Sequence, residues 1–187
     1  RDLHRRRHSC PTRRSSDLIY KRNYIHHTGQ ALSSGFSGWT FDENYVTDIV
    51  APNPAPYPGD DVWHADGLIG WGSNINVRKN KILVPIPQTG VVNIGTWSGS
   101  SADVDNVIID DNYFAGAGYV FYIEEKGTSY NVTNMYIRNN DFGQDYYPNS
   151  GYYGIWYNGY RPTVLPTTSG NRLVTASGNF VSAANWS

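Results

Sequence analysis

His64 and Asp66 stand two residues apart beside a proline-dense stretch, and Tyr122, Glu124, Glu125 and Lys126 cluster some sixty residues further on. Imidazole and carboxyl groups are common proton carriers in general acid–base catalysis, so His64, Asp66 and Glu124 are the candidate catalytic residues. Two chemistries suit them. Two carboxyl groups can serve as the acid and base of glycoside hydrolysis. Alternatively, His64 takes a proton beside a uronate carboxyl, Lys126 neutralises that carboxyl and Tyr122 donates a proton, which is lyase chemistry. Plainer roles stay open: an aspartate before glycine often bonds its own turn, and His64 could be an ordinary loop histidine. His26-His27 precedes Gly29 and reads as a turn, because a metal pair would want further ligands. No metal centre or cofactor is expected, with Asp60-Asp61 the one candidate for calcium.

Residues so far apart meet only if the chain keeps returning to the same place, and a repeated frame says that it does. The frame is an apolar residue, two polar positions, an asparagine, any residue and an apolar one. It reads Tyr20-Lys21-Arg22-Asn23-Tyr24-Ile25, Phe41-Asp42-Glu43-Asn44-Tyr45-Val46 and Val77-Arg78-Lys79-Asn80-Lys81-Ile82. Ile109-Asp110-Asp111-Asn112-Tyr113-Phe114 and Ile137-Arg138-Asn139-Asn140-Asp141-Phe142 follow, with Ala176-Ser177-Gly178-Asn179-Phe180-Val181 a degenerate sixth. The asparagines are 21, 36, 32, 28 and 39 residues apart, so extra residues must leave as loops. Period 2 before each asparagine, as in Ile75 and Val77 or Val107 and Ile109, predicts strand, and asparagine suits the bend because it tolerates left-handed angles. The paired polar positions alternate in sign along the chain, as neighbouring parallel strands require. Residues 42, 78, 110 and 138 should therefore stack.

A second strand falls between frames, aligning Leu68-Ile69-Gly70-Trp71 with Val92-Asn93-Ile94-Gly95, Phe121-Tyr122-Ile123-Glu124 and Ile155-Trp156-Tyr157-Asn158. First and third positions would face inward. The outward columns are then Ile69, Asn93, Tyr122 and Trp156, and beside them Trp71, Gly95, Glu124 and Asn158, with Trp63 and Trp97 at the margins. Rings interleaved with amides and a carboxylate suit a polar ligand, so Trp71, Asn93, Tyr122, Lys126, Trp156 and Asn158 are the candidate substrate-binding residues. Ring stacking that merely stabilises a β face explains the same columns equally well. No stretch keeps a helical period, and propeller blades would need four antiparallel strands each, so short strands every 20 to 40 residues predict a solenoid.

Strings of the form Asn-Val-x-Ile-x-x-Asn-x-Ile, followed by the Asp-Gly-led strand of His64-Ala65-Asp66-Gly67, resemble the right-handed parallel β-helix repeat proteins of the pectate-lyase-like superfamily. The resemblance covers roughly residues 19 to 181. It implies an all-β, right-handed parallel β-helix of three strands per coil and about five to six coils, with carbohydrate held in a groove along one outer sheet. The expected function is binding and cleavage of a polysaccharide by lyase or glycoside hydrolase chemistry, the alternative being a non-catalytic glycan-binding surface or tail-fibre type module. The polygalacturonase motifs are not present as a set. Stacked strands lie about 4.8 Å apart, so carboxylates two coils apart should sit near ~10 Å, just past the roughly 6.5–9.5 Å of inverting pairs.

Residues 1–18 resemble a translated sequencing adapter and are set apart as an artefactual or disordered segment, leaving one β-helix domain over 19–187. Six of the 15 basic and two of the 16 acidic residues lie there, so the remainder carries nine against 14 and the only cysteine is gone. An acidic balance without clustered Lys and Arg argues against nucleic acid. No apolar run approaches the ~20 residues of a membrane span. Secretion or display at the cell surface is expected, with its signal missing from an N-terminally truncated fragment. Ala51 to Asp61, with four prolines, should be a loop bordering the groove.

Overall fold

Period-2 apolar alternation does produce strands. The computed structural model describes residues 18–50, 64–97, 100–127 and 129–186, and these contain strands but no helix. The first strands are β1 (Leu18–Lys21), β2 (Tyr24–Ile25), β3 (Gln30–Ser34), β4 (Trp39–Asp42), β5 (Tyr45–Val46) and β6 (Asp66–Gly70). Next come β7 (Ser73–Arg78), β8 (Lys81–Val84), β9 (Gly90–Thr96), β10 (Asp105–Asp110), β11 (Tyr113–Gly116) and β12 (Tyr119–Glu125). The last are β13 (Met135–Arg138), β14 (Asp141–Gly143), β15 (Gly154–Trp156), β16 (Thr167–Ser169), β17 (Arg172–Val174) and β18 (Phe180–Ala183).

Through β17, every third strand returns to the same sheet. One sheet runs β1-β4-β7-β10-β13-β16, a second β18-β17-β14-β11-β8-β5-β2 and a third β15-β12-β9-β6-β3. All neighbours pair in parallel except β17 with β18. The described residues are thus all-β, in three mostly parallel sheets around a common core. Leu18 belongs to this structure, paired with Trp39 as the first residue of β1. The proline-dense stretch from Ala51 to Asp61, including Asp60-Asp61, and Trp63 lie outside the described residues.

The stacking expected of the charged column is present. Lys21 lies beside Asp42, Asp42 beside Arg78, Arg78 beside Asp110 and Asp110 beside Arg138. Lys21 Nζ is 2.7 Å from Asp42 Oδ2, and Arg138 Nε is 3.2 Å from Asp110 Oδ2. The cations are largely exposed, so each pair adds only a few tenths of a kcal/mol; the column selects register more than it stabilises. Inward positions stack likewise, as Phe41, Val77, Ile109 and Ile137 in one sheet and Val46, Ile82, Phe114 and Phe142 in the next. All are fully buried.

The asparagines do a different job from the one their turn propensity suggests. Left-handed angles fall on the residue before each one, at Arg22, Glu43, Lys79, Asp111 and Asn139, with φ from 54° to 57°. That strained residue keeps a backbone bond to the next strand, as when Glu43 N–H donates to the Arg78 carbonyl. Asn44, Asn80, Asn112 and Asn140 are instead buried, each amide oxygen accepting from the backbone N–H and the side-chain Nδ2 of the preceding member. The ladder continues to Asn171 and then Asn185, not to Asn179, which closes an exposed turn with Thr175 and Ser177. Asn179 fits the frame's spelling, but Asn171 follows Gly170, whose φ of +64° supplies the left-handed step.

Candidate functional site

Sheet β15-β12-β9-β6-β3 presents the outer face that gathers the candidate residues. Its register matches the expected alignment over three strands: Leu68, Val92 and Phe121 point inward, while Ile69, Asn93 and Tyr122 form the outward column. At β15 the register slips by one residue. Trp156 pairs with Phe121, so it turns inward and stacks on Phe121 at 5.0 Å and on Trp186 at 5.2 Å. Tyr157 takes the outward place that alignment had assigned to Trp156, its ring 4.4 Å from that of Tyr122. Gly154 opens β15 level with Tyr119 at a φ of +137°, and the pairing continues from it in regular register to Trp156.

A pocket of about 210 Å³ opens on this face, lined by Gln30, His64, Asp66, Ile69, Thr89, Asn93, Trp97, Tyr122 and Glu124. The structure therefore brings together His64, Asp66, Asn93, Tyr122 and Glu124. Trp71 stands behind the margin, edge-on to Trp97 at 5.7 Å. Lys126 is turned over the Tyr160 ring, 4.5 Å from its centre, and Asn158 accepts a hydrogen bond from Trp186 Nε1. Neither of these two, nor Trp156, lines the pocket.

Asp66 forms the floor. It is fully buried, and its carboxylate accepts from Asn93 Nδ2 at 2.7 Å, Gly90 N–H at 3.2 Å and Gln30 Nε2 at 3.3 Å. Asp66 and Glu124 are not the facing pair that counting coils suggested. Asp66 is level with Gly90 and Tyr119, and Glu124 lies five residues further along. At ~3.3 Å per residue, five residues put the two backbones roughly 16 Å apart along the strand in addition to the two-strand step across the sheet. Counting coils measures only the second separation.

The titratable groups differ in what they can do. Burial pushes the Glu124 carboxyl above its ordinary value, with Lys126 pulling the other way. Burial, then the neighbouring Tyr157 and Tyr119, push the Tyr122 hydroxyl up to about 12, so it remains a proton donor at neutral pH. His64 Nδ1 lies 2.8 Å from Thr89 Oγ1. Because folded Glu124 holds its proton more tightly than the unfolded chain does, its contribution weakens the fold as pH rises from about 4.5 through the raised value. Glu124→Gln should therefore be as stable as the parent at acid pH and more stable at neutral pH. Urea midpoints of both proteins between pH 4 and 8 check this, and a parallel pair of curves would refute it.

Gln30 and Thr89 were not expected in the site. Gln30 was within reach: it precedes Asp66 by 36 residues, the offset that separates Asn44 from Asn80. Thr89 lies just before β9 and carried no comparable signal. Among the described residues no cluster of three or more His, Cys, Asp or Glu side chains could hold a metal. No protein-family model, curated protein or solved structure matches this chain.

Proposed function

We propose that the chain is a right-handed parallel β-helix that binds carbohydrate on the outer face of its five-stranded sheet. The return of every third strand to the same sheet supports the solenoid, and the handedness follows from the near-universal right-handed crossover between parallel strands. The ligand class rests on the makeup of the pocket. Trp97, Tyr122 and Ile69 offer apolar faces to a sugar ring, while Gln30, Thr89, Asn93 and Glu124 offer groups for its hydroxyls. Binding is the leading reading because Asp66 is enclosed by its own donors and no Lys or Arg is among the described lining residues. Such a ligand fits a secreted or surface-displayed protein.

Cleavage is the second reading, favoured by one observation: a half-buried carboxyl with a raised pKa is what a general acid needs. A panel of polysaccharides, assayed for binding and for unsaturated or reducing ends, separates the two. Binding without product supports the module. Product formation that Glu124→Gln lowers by 100-fold or more, with binding retained, supports the enzyme. Absence of binding to every glycan would overturn both.

A further inference from the structure

Resting on the carbohydrate reading above, we propose that the pocket takes an uncharged sugar ring, rejects the matching uronate, and reads one ligand hydroxyl through Asn93 Oδ1. The Asn93 side chain is 5 % exposed, and its Nδ2 is committed to Asp66 Oδ1 at 2.7 Å. A carboxylate only accepts, so the amide cannot be turned round: Oδ1 facing Asp66 would set two acceptors against each other. Asn93 Oδ1 is left buried and without a hydrogen-bond partner in a residue that lines the pocket. Buried acceptors are nearly always satisfied, so this oxygen calls for a donor, and a sugar hydroxyl is one. A carboxylate is not.

Charge points the same way. The described ionisable groups of the lining are His64, Tyr122 and two carboxyl groups, Asp66 and Glu124. Lys126, whose charge reaches Glu124, is turned onto the Tyr160 ring. A ligand carboxylate entering here would leave water to meet negative charge and a lone acceptor.

Space for Asn93 exists because residue 90 is glycine. A Cβ there would lie 2.1 Å from Asn93 Oδ1 and 2.9 Å from Tyr122 Cδ2, and its three closest neighbours are all side-chain atoms. Gly90→Ala should thus displace the reading amide while leaving the strand backbone in place.

The experiment titrates the full chain with galactose oligosaccharides and the matched galacturonate oligosaccharides by calorimetry, beside Gly90→Ala and Glu124→Gln. The neutral series should bind at least tenfold tighter than the uronates. Gly90→Ala should weaken neutral binding at least tenfold with its circular dichroism unchanged and its thermal midpoint lowered, because the displaced amide gives up its bond to buried Asp66, and Glu124→Gln should narrow the discrimination. Uronates binding as tightly as neutral sugars, or Gly90→Ala binding normally, would overturn this inference while the carbohydrate reading stands. No binding of either series to the parent protein, with the wider panel also silent, would overturn both.

Discussion

Asn112→Ala should lower the stability of the fold by about 4 kcal/mol, a large part of the 5–15 kcal/mol typical of a domain. Asn112 Oδ1 accepts both the backbone N–H and the Nδ2 of Asn80, at 3.0 and 2.9 Å. Its own Nδ2 donates to the Val77 carbonyl at 2.9 Å and to Asn140 Oδ1 at 2.9 Å. Truncation strands the buried Asn80 N–H and leaves neighbouring carbonyls short of a donor, at ~1–3 kcal/mol for each orphaned group. Asn179→Ala is the contrast, because its bonds to Thr175 and Ser177 are exposed; it should lose less than about 1 kcal/mol. Urea unfolding followed by circular dichroism measures both. A loss under about 1.5 kcal/mol for Asn112→Ala would show that the buried amides do not hold neighbouring strands together.

Gly116→Ala should be nearly as damaging, at about 3 kcal/mol or more, for a reason of shape. Gly116 ends β11 at a φ of +101°, and its N–H donates to the Ser150 carbonyl at 2.9 Å. A Cβ would lie 1.8 Å from the Val84 carbonyl oxygen, which also accepts the Ala117 N–H at 2.7 Å. Relief would require moving the backbone at the end of β8 and giving up that bond. Gly127 isolates the conformational part: its φ is +60° and nothing lies within 4 Å of a Cβ there, so Gly127→Ala should lose only about 1 kcal/mol. Equal thermal midpoints for the two variants would mean that the Val84 contact yields freely.

How much of this was legible depends on whether a feature is local or shared between strands. Alternation in Ile75-Asn76-Val77 and Val107-Ile108-Ile109 is a property of consecutive residues, so strand and inward face could be read directly. The alternating charges at 21, 42, 78, 110 and 138 also carried information, because each sign tolerates only the opposite one beside it. The asparagine frame was visible while its purpose was not: the left-handed angle belongs to the preceding residue, and the amide bonds partners 21 to 36 residues away. A second asparagine row, Asn74, Asn106 and Asn134, does carry left-handed angles; each stands six residues before Asn80, Asn112 or Asn140, and spacing alone does not say which of the two asparagines turns the chain.

By itself, then, the sequence determined a chain of short strands, the residues each turns inward and the order in which charged positions stack, because these follow from period and pairwise sign. Tertiary structure alone decided that Trp156 joins the core while Tyr157 takes the outer face, since the phase of β15 is set by its pairing with β12 and by the stacking of Trp156 on Phe121 and Trp186. It also decided that Asp66 is enclosed by Gln30, Gly90 and Asn93 instead of facing Glu124. Those partners come from the two strands that flank β6, namely β3 and β9, at unequal distances along the sequence, and only the folded register says which residues stand level.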